Sequence, residues 1–110
     1  MKIWVDDLRP APTGYHWAKT SLAAINLIRS YKQAYYMTKD EAFKIEVLDL
    51  DHDAGDYANV GGDYIFILEW MEEFGINDIP IHLHTMNPVG RENMRAIIRK
   101  NHWQEVYKTP

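Results

Sequence analysis

The chain has 110 residues, 46% hydrophobic and 25% charged, with no cysteine. That is one domain with enough apolar material for a core, which excludes disorder, a disulfide scaffold and a cysteine zinc site. Net charge is −4 but uneven: residues 1–87 carry 7 Lys/Arg against 14 Asp/Glu and residues 88–110 carry 5 against 2, and so acidic a body argues against nonspecific DNA binding.

Lys2–Val5 is an apolar run of strand length that ends in Asp6-Asp7. Two acids so early leave no room for a signal-peptide core, and no apolar run approaches the roughly 18 residues that would span a membrane. A cytoplasmic location with no membrane partner is expected, and the lack of Cys fits a reducing compartment. Pro10, Pro12 and Gly14 form a loop. His16–Thr20 reads as a further strand, and a helix starts near Ser21 with Leu22, Ile25 and Ile28 inward. Ser30–Lys44 either extends that helix or holds a strand around Ala34–Met37.

Ile45–Leu50 is a second apolar run that stops at Asp51-His52-Asp53. The clearest helix covers Asp63–Phe74, with Asp63 as its cap and Gly75 as its stop. Tyr64, Ile67, Leu68, Met71 and Phe74 recur at helical spacing on its inner side. Phe66 sits on the margin, as a subunit contact or an ordinary surface aromatic, so a homo-oligomer stays open. Ile79–Leu83 is a third run, ending in His84-Thr85. A helix from Arg91 to Lys100 buries Met94, Ile97 and Ile98, and Trp103–Tyr107 supplies a last short strand. Short apolar strands alternating with helical patterns predict a mainly parallel sheet with helices on both faces.

In such a sheet all strand C-termini lie on one edge, where ligands bind. Asp6, Asp7, Asp51, His52, Asp53, His84, Thr85 and Asn87 are therefore expected to converge. Crowded carboxylates repel unless a cation or proton joins them. Oxygen-rich sets suit Mg²⁺ or Mn²⁺, and added imidazoles favour a transition metal. His82 and His84 alternate with Leu83 and share one sheet face; His82 is expected to be structural and His84 functional. Asn87-Pro88-Val89-Gly90-Arg91 enters a helix whose first N–H groups favour an anion, with Gly90 permitting close approach of a phosphate. Arg91, Arg95 and Arg99 form one stripe, of which Arg91 alone reaches the active edge. Asp49-Leu50-Asp51 also invites a haloacid-dehalogenase reading with Asp49 as phosphoacceptor and Asp51 as acid/base, though the chain is short for that fold's additional elements.

Four pieces, Val5-Asp6-Asp7-Leu8-Arg9-Pro10, Leu50-Asp51-His52-Asp53, Gly62-Asp63-Tyr64 and His84-Thr85-Met86-Asn87-Pro88-Val89-Gly90-Arg91-Glu92-Asn93-Met94, cover nearly the whole chain in order. Together they resemble the cyclic-phosphate-processing receiver domains, divergent relatives of bacterial response-regulator receivers. The resemblance implies a flavodoxin-like, receiver-like α/β fold: a mainly parallel five-stranded sheet with a reduced first helix, in one domain spanning residues 1–110. It implies Asp6 and Asp7 as metal-binding acids, Asp51 at the phosphoacceptor position and Thr85 as the switch hydroxyl. His52, Asp53, His84 and Asn87 match the divergent family's own pattern. Lys108 stands near the conserved receiver lysine, with Thr109 intervening before Pro110.

The sequence thus predicts a metal-dependent phosphoesterase-like domain that processes or binds a cyclic phosphate or nucleotide. In this reading Asp6, Asp7 and Asp51 hold a divalent metal, His52, His84 and Asp53 carry the proton chemistry, and Thr85, Asn87, Gly90 and Arg91 contact phosphate. A phosphoacceptor receiver and a catalytically silent adaptor are the alternatives.

Overall fold

The computed structural model describes residues 1–59 and 61–107, so Lys108 lies outside the described residues. Five strands, β1 (Lys2–Val5), β2 (Tyr15–Ala18), β3 (Val47–Leu50), β4 (Ile81–Leu83) and β5 (Glu105–Val106), alternate with α1 (Ser21–Thr38), α2 (Ile65–Glu73) and α3 (Pro88–Lys100). All neighbouring strands pair parallel, in the order β2-β1-β3-β4-β5. This is the flavodoxin-like order, with a loop between β1 and β2 where such folds place their first helix. No helix among the described residues is long and apolar enough to cross a membrane.

β1 keeps its expected bounds, β2 is shifted to Tyr15–Ala18 from the expected His16–Thr20, and β3, β4 and β5 are trimmed relative to their runs. Ser30–Thr38 continues α1 rather than forming a strand: Lys32-Gln33-Ala34 are good helix formers, Lys39 ends the helix in a left-handed conformation, and Glu41–Phe43 adds one 3-10 turn before β3. Thr20 caps α1 by accepting the Ala23 N–H. Asp63 does not cap α2, because its carboxylate instead accepts the Ala54 N–H and ties down the loop after β3. Gly75 does close α2: at φ 68° it lets the Ile76 N–H return to the Met71 carbonyl. Phe74 lies one residue past that helix, off the inward stripe, and is exposed. Leu22 is exposed too, since Ser21, Ala24, Ile25 and Ile28 take the inner face of α1. Ile97 is half-buried beside the buried Met94 and Ile98.

Ile3, Val5, Leu48, Leu50, Ile81 and Leu83 form one buried cluster with Ile25, Ile28, Ile67, Leu68, Met71, Met94 and Ile98 of the helices. The crossovers β2-α1-β3, β3-α2-β4 and β4-α3-β5 all step the same way across the sheet. Right-handed crossovers in one direction put every helix on one face, and α2 indeed packs against both α1 and α3. The expected helices on both faces are thus corrected to helices on one. The other face carries the alternate residues Lys2, Trp4, Asp49 and His82, with Trp4, Asp49 and His82 side by side in register.

Candidate functional site at the carboxyl edge of the sheet

After β1 the chain leads towards β2 on one side, and after β3 it continues to the other. The crevice at this reversal is where ligands settle in open parallel sheets. Asp6 and Asp7 leave β1 there and Asp51 leaves β3 beside them. One carboxylate oxygen from each lies within 4.8 Å of the other two. Asp6 is 1% exposed and Asp51 8%. Burial alone would raise the Asp6 carboxyl, but the Arg9 and Leu8 backbone N–H groups, His84 and the Arg9 guanidinium hold it below the usual carboxylate range. Burial together with the Asp6 and Asp51 charges pushes Asp7 upward. Gly55 closes over Asp7 so tightly that a Cβ there would stand 2.3 Å from the Asp7 Oδ2, and its φ of 56° suits glycine.

Every acceptor of Asp6 is used. Its Oδ1 accepts the Leu8 and Arg9 backbone N–H groups, each at 2.9 Å. Its Oδ2 meets Arg9 Nε and His84 Nε2, again at 2.9 Å each. The Arg9 guanidinium reaches on to Asp51 Oδ2 at 3.3 Å, while Asp51 Oδ1 accepts the His52 N–H at 2.8 Å.

His84 is fixed on all sides. Its Nδ1 lies 2.6 Å from Asp49 Oδ1, its Nε2 faces Asp6, and its ring stacks on Trp4 at 3.8 Å and 2°. The same Asp49 oxygen meets His82 Nδ1 at 2.8 Å, the structural role expected for His82. Asp49 is fully buried, its Oδ1 is held by the two histidines, and it is not among the clustered acids, which overturns it as a phosphoacceptor. Arg9 is the polar residue of this site that the sequence reading gave no part in its chemistry, and Asp49 was read there only as a phosphoacceptor, not as the shared partner of two histidines. The available signal for Asp49 was an acid inside an otherwise apolar strand.

A second group sits beside the first. His52 Nδ1 lies 2.9 Å from Asp53 Oδ1, and the Asn87 amide donates to Asp53 Oδ2 at 3.3 Å. The His52 contact, opposed by burial and aided by Asn87, lowers the Asp53 carboxyl. His52 Nε2 has no hydrogen-bond partner among the described residues. Its ring covers Gly90, where a Cβ would stand 2.4 Å from His52 Cγ. Thr85 is fully buried and its hydroxyl accepts the Asn87 N–H at 3.1 Å. The expected helix start at Arg91 moves back to Pro88, because Asn87 caps it by accepting the Gly90 N–H at 3.0 Å. The Arg91 side chain donates to the Thr85 carbonyl. Arg95 instead pairs with Glu105 at 2.6 Å and Arg99 is exposed.

All ten residues expected at the site therefore lie on the loops leaving β1, β3 and β4 or on the first turn of α3. A groove lined by Lys32, Tyr35, Phe43, Ile45 and Ile79 opens at the opposite edge, before β3 and β4, and contains none of them.

The family model for the cyclic-phosphate processing receiver domain matches residues 1–100. The chain belongs to this family. No curated protein and no solved structure matches it. Receiver domains hold a divalent ion through acidic residues at this edge, and this cyclic-phosphate processing receiver domain retains three carboxylates there. Three hard oxygen donors in one crevice, one of them pushed upward by burial and then by its neighbours' charge, fit a small hard cation such as Mg²⁺ or Mn²⁺.

Proposed function

We propose that this domain is a metal-dependent phosphoesterase that opens or binds a small cyclic phosphate or nucleotide, with the phosphate seated between the acidic cluster and the start of α3. The observation that carries the reading is the pairing of a three-carboxylate cluster with a separate carboxylate-held imidazole, His52-Asp53, on the adjoining loop. A receiver that only accepts phosphate on Asp51 has no use for that second pair.

Asp6, Asp7 and Asp51 would hold the divalent ion, which supplies charge neutralisation at phosphate oxygens and acidifies a bound water. Asp53 orients His52 through Nδ1, and Nε2, with no hydrogen-bond partner among the described residues, is left to accept or return a proton. His84 has both nitrogens engaged by carboxylates, so its part is to fix the position of Asp6 rather than to exchange protons with a ligand. Arg91 and the Asn87 amide offer donors to phosphate, with Thr85 setting the turn that aims them. The Gly90 N–H is already taken by Asn87, so Gly90 contributes room for the His52 ring.

The test is a screen of cyclic and linear nucleotides with Mg²⁺, Mn²⁺ or Zn²⁺, read by phosphorylated products. Turnover of a cyclic phosphate that is lost in Asp51→Asn and falls at least tenfold in His52→Ala supports the reading, the latter figure being the lower end for general acid–base catalysis, about 10²–10⁴-fold, discounted for water substituting. No turnover of any cyclic compound, with hydroxylamine-labile phosphate appearing on Asp51 after treatment with a small phosphodonor, would replace it by the receiver reading.

A further inference from the structure

The acidic cluster already contains a cation of its own. Arg9 Nε lies 2.9 Å from Asp6 Oδ2 and Arg9 Nη2 3.3 Å from Asp51 Oδ2, and Nη1 reaches the His84 carbonyl at 3.4 Å. One guanidinium thus spans the ends of β1, β3 and β4. The Asp6 oxygen it holds also meets His84, so that oxygen is saturated. For a divalent ion to take it, one of the two partners has to leave. His84 is clamped by Asp49 and stacked on Trp4, with a side chain 9% exposed. The Arg9 side chain is 45% exposed and has open solvent to move into. Its backbone stays behind, because the Arg9 N–H is held by Asp6 and its carbonyl by Trp4 Nε1 at 2.9 Å.

The geometry points to Arg9 as a displaceable counter-ion that competes with the divalent ion for Asp6 and Asp51 and, once released to the rim, grips the phosphate carried to the site. This rests on the metal-dependent reading above and assigns a residue to it. A planar fork suits both partners in turn, two carboxylate oxygens first and two phosphate oxygens afterwards. The exchange also leaves the cluster's charge partly compensated in either state, which explains how three carboxylates stand together in a half-enclosed crevice.

Calorimetric titration of the full chain with Mg²⁺, then of the Mg²⁺-loaded protein with inorganic phosphate, separates the two roles. Arg9→Gln is expected to bind Mg²⁺ about tenfold more tightly, since a competitor and a like charge are both gone. The same variant is expected to bind phosphate at least about tenfold more weakly. Opposite shifts are the signature, since a merely structural loss would weaken both. Arg9→Lys keeps the charge without the fork and is expected between the two; wild-type values in both titrations would overturn the bridging role. Unchanged or weaker Mg²⁺ binding in Arg9→Gln, unchanged phosphate binding, or no Mg²⁺ uptake by either protein also overturns the proposal. Opposite shifts in a protein that turns over no cyclic phosphate would keep the Arg9 assignment and remove the catalytic one.

Discussion

Replacing Gly90 by alanine tests whether the His52 ring is seated as described. In an ordinary helix Gly→Ala stabilises by about 1 kcal/mol. Here the new methyl would stand 2.4, 2.6 and 2.7 Å from His52 Cγ, Cδ2 and Nδ1. The clash meets the base of the ring, which can turn aside only by giving up its contact with Asp53, so about 1–3 kcal/mol of overpacking opposes the helix gain. The net expectation is a loss of about 0–2 kcal/mol, or up to about 8 °C in melting temperature for a domain of this size. Relief of the clash drives His52 off Asp53, so the Asp53-held imidazole is lost along with stability. Urea denaturation of Gly90→Ala, His52→Ala and the double variant closes a double-mutant cycle. In the His52→Ala background the methyl meets nothing large, and Gly90→Ala should then stabilise by about 1 kcal/mol. A cycle with no coupling, or a Gly90→Ala variant more stable than wild type, would refute this packing.

Asp49→Ala removes the shared acceptor of two histidines and leaves them buried without it; a loss of about 3–5 kcal/mol in denaturant unfolding is expected. Acid should unfold the protein partly through Asp6: its carboxyl lies below the ordinary 3.8 in the folded state, so its contribution is full above that value and lost as pH falls through the folded value. Asp6→Asn should therefore flatten the acid limb of a stability profile below the ordinary carboxylate value of 3.8, and an unchanged limb would assign acid unfolding elsewhere. Arg91→Ala should weaken inorganic phosphate binding at least about fivefold, against less than about twofold for Arg99→Ala, which lies two turns further along the same stripe. Equal losses would mark a diffuse field.

Strand positions and the acidic cluster were legible because each apolar run breaks into acids or histidine at its end, and period and composition carry that without knowledge of neighbours. Boundaries shifted where side chains found better partners: Asp63 was drawn to Ala54 instead of capping α2, and Asn87 opened α3 three residues early. Asp49 gained its meaning only from register, since nothing along the chain says that it sits beside His82. Arg9 required the loop after β1 to curl back over Asp6 and Asp51, a consequence of two backbone N–H groups binding the Asp6 carboxylate. The single helical layer followed from strand order, which local pattern does not encode.

Two indole N–H groups are tied to the backbone of the loop that leaves β1: Trp4 Nε1 to the Arg9 carbonyl, and Trp17 Nε1 to the Asp6 carbonyl at 2.7 Å. The other two tryptophans, Trp70 and Trp103, are buried in the core that the helices form with the sheet. The protein therefore carries built-in optical probes of two kinds. Emission from the first pair follows the geometry of the acidic loop, because a shift of that loop stretches a bond to an excited-state dipole and changes what its ring lies against. Emission from the second pair follows global unfolding. Trp4→Phe and Trp17→Phe would separate these signals, so that occupancy of the site can be followed in an unlabelled protein while the red shift of Trp70 and Trp103 reports whether the fold stays closed.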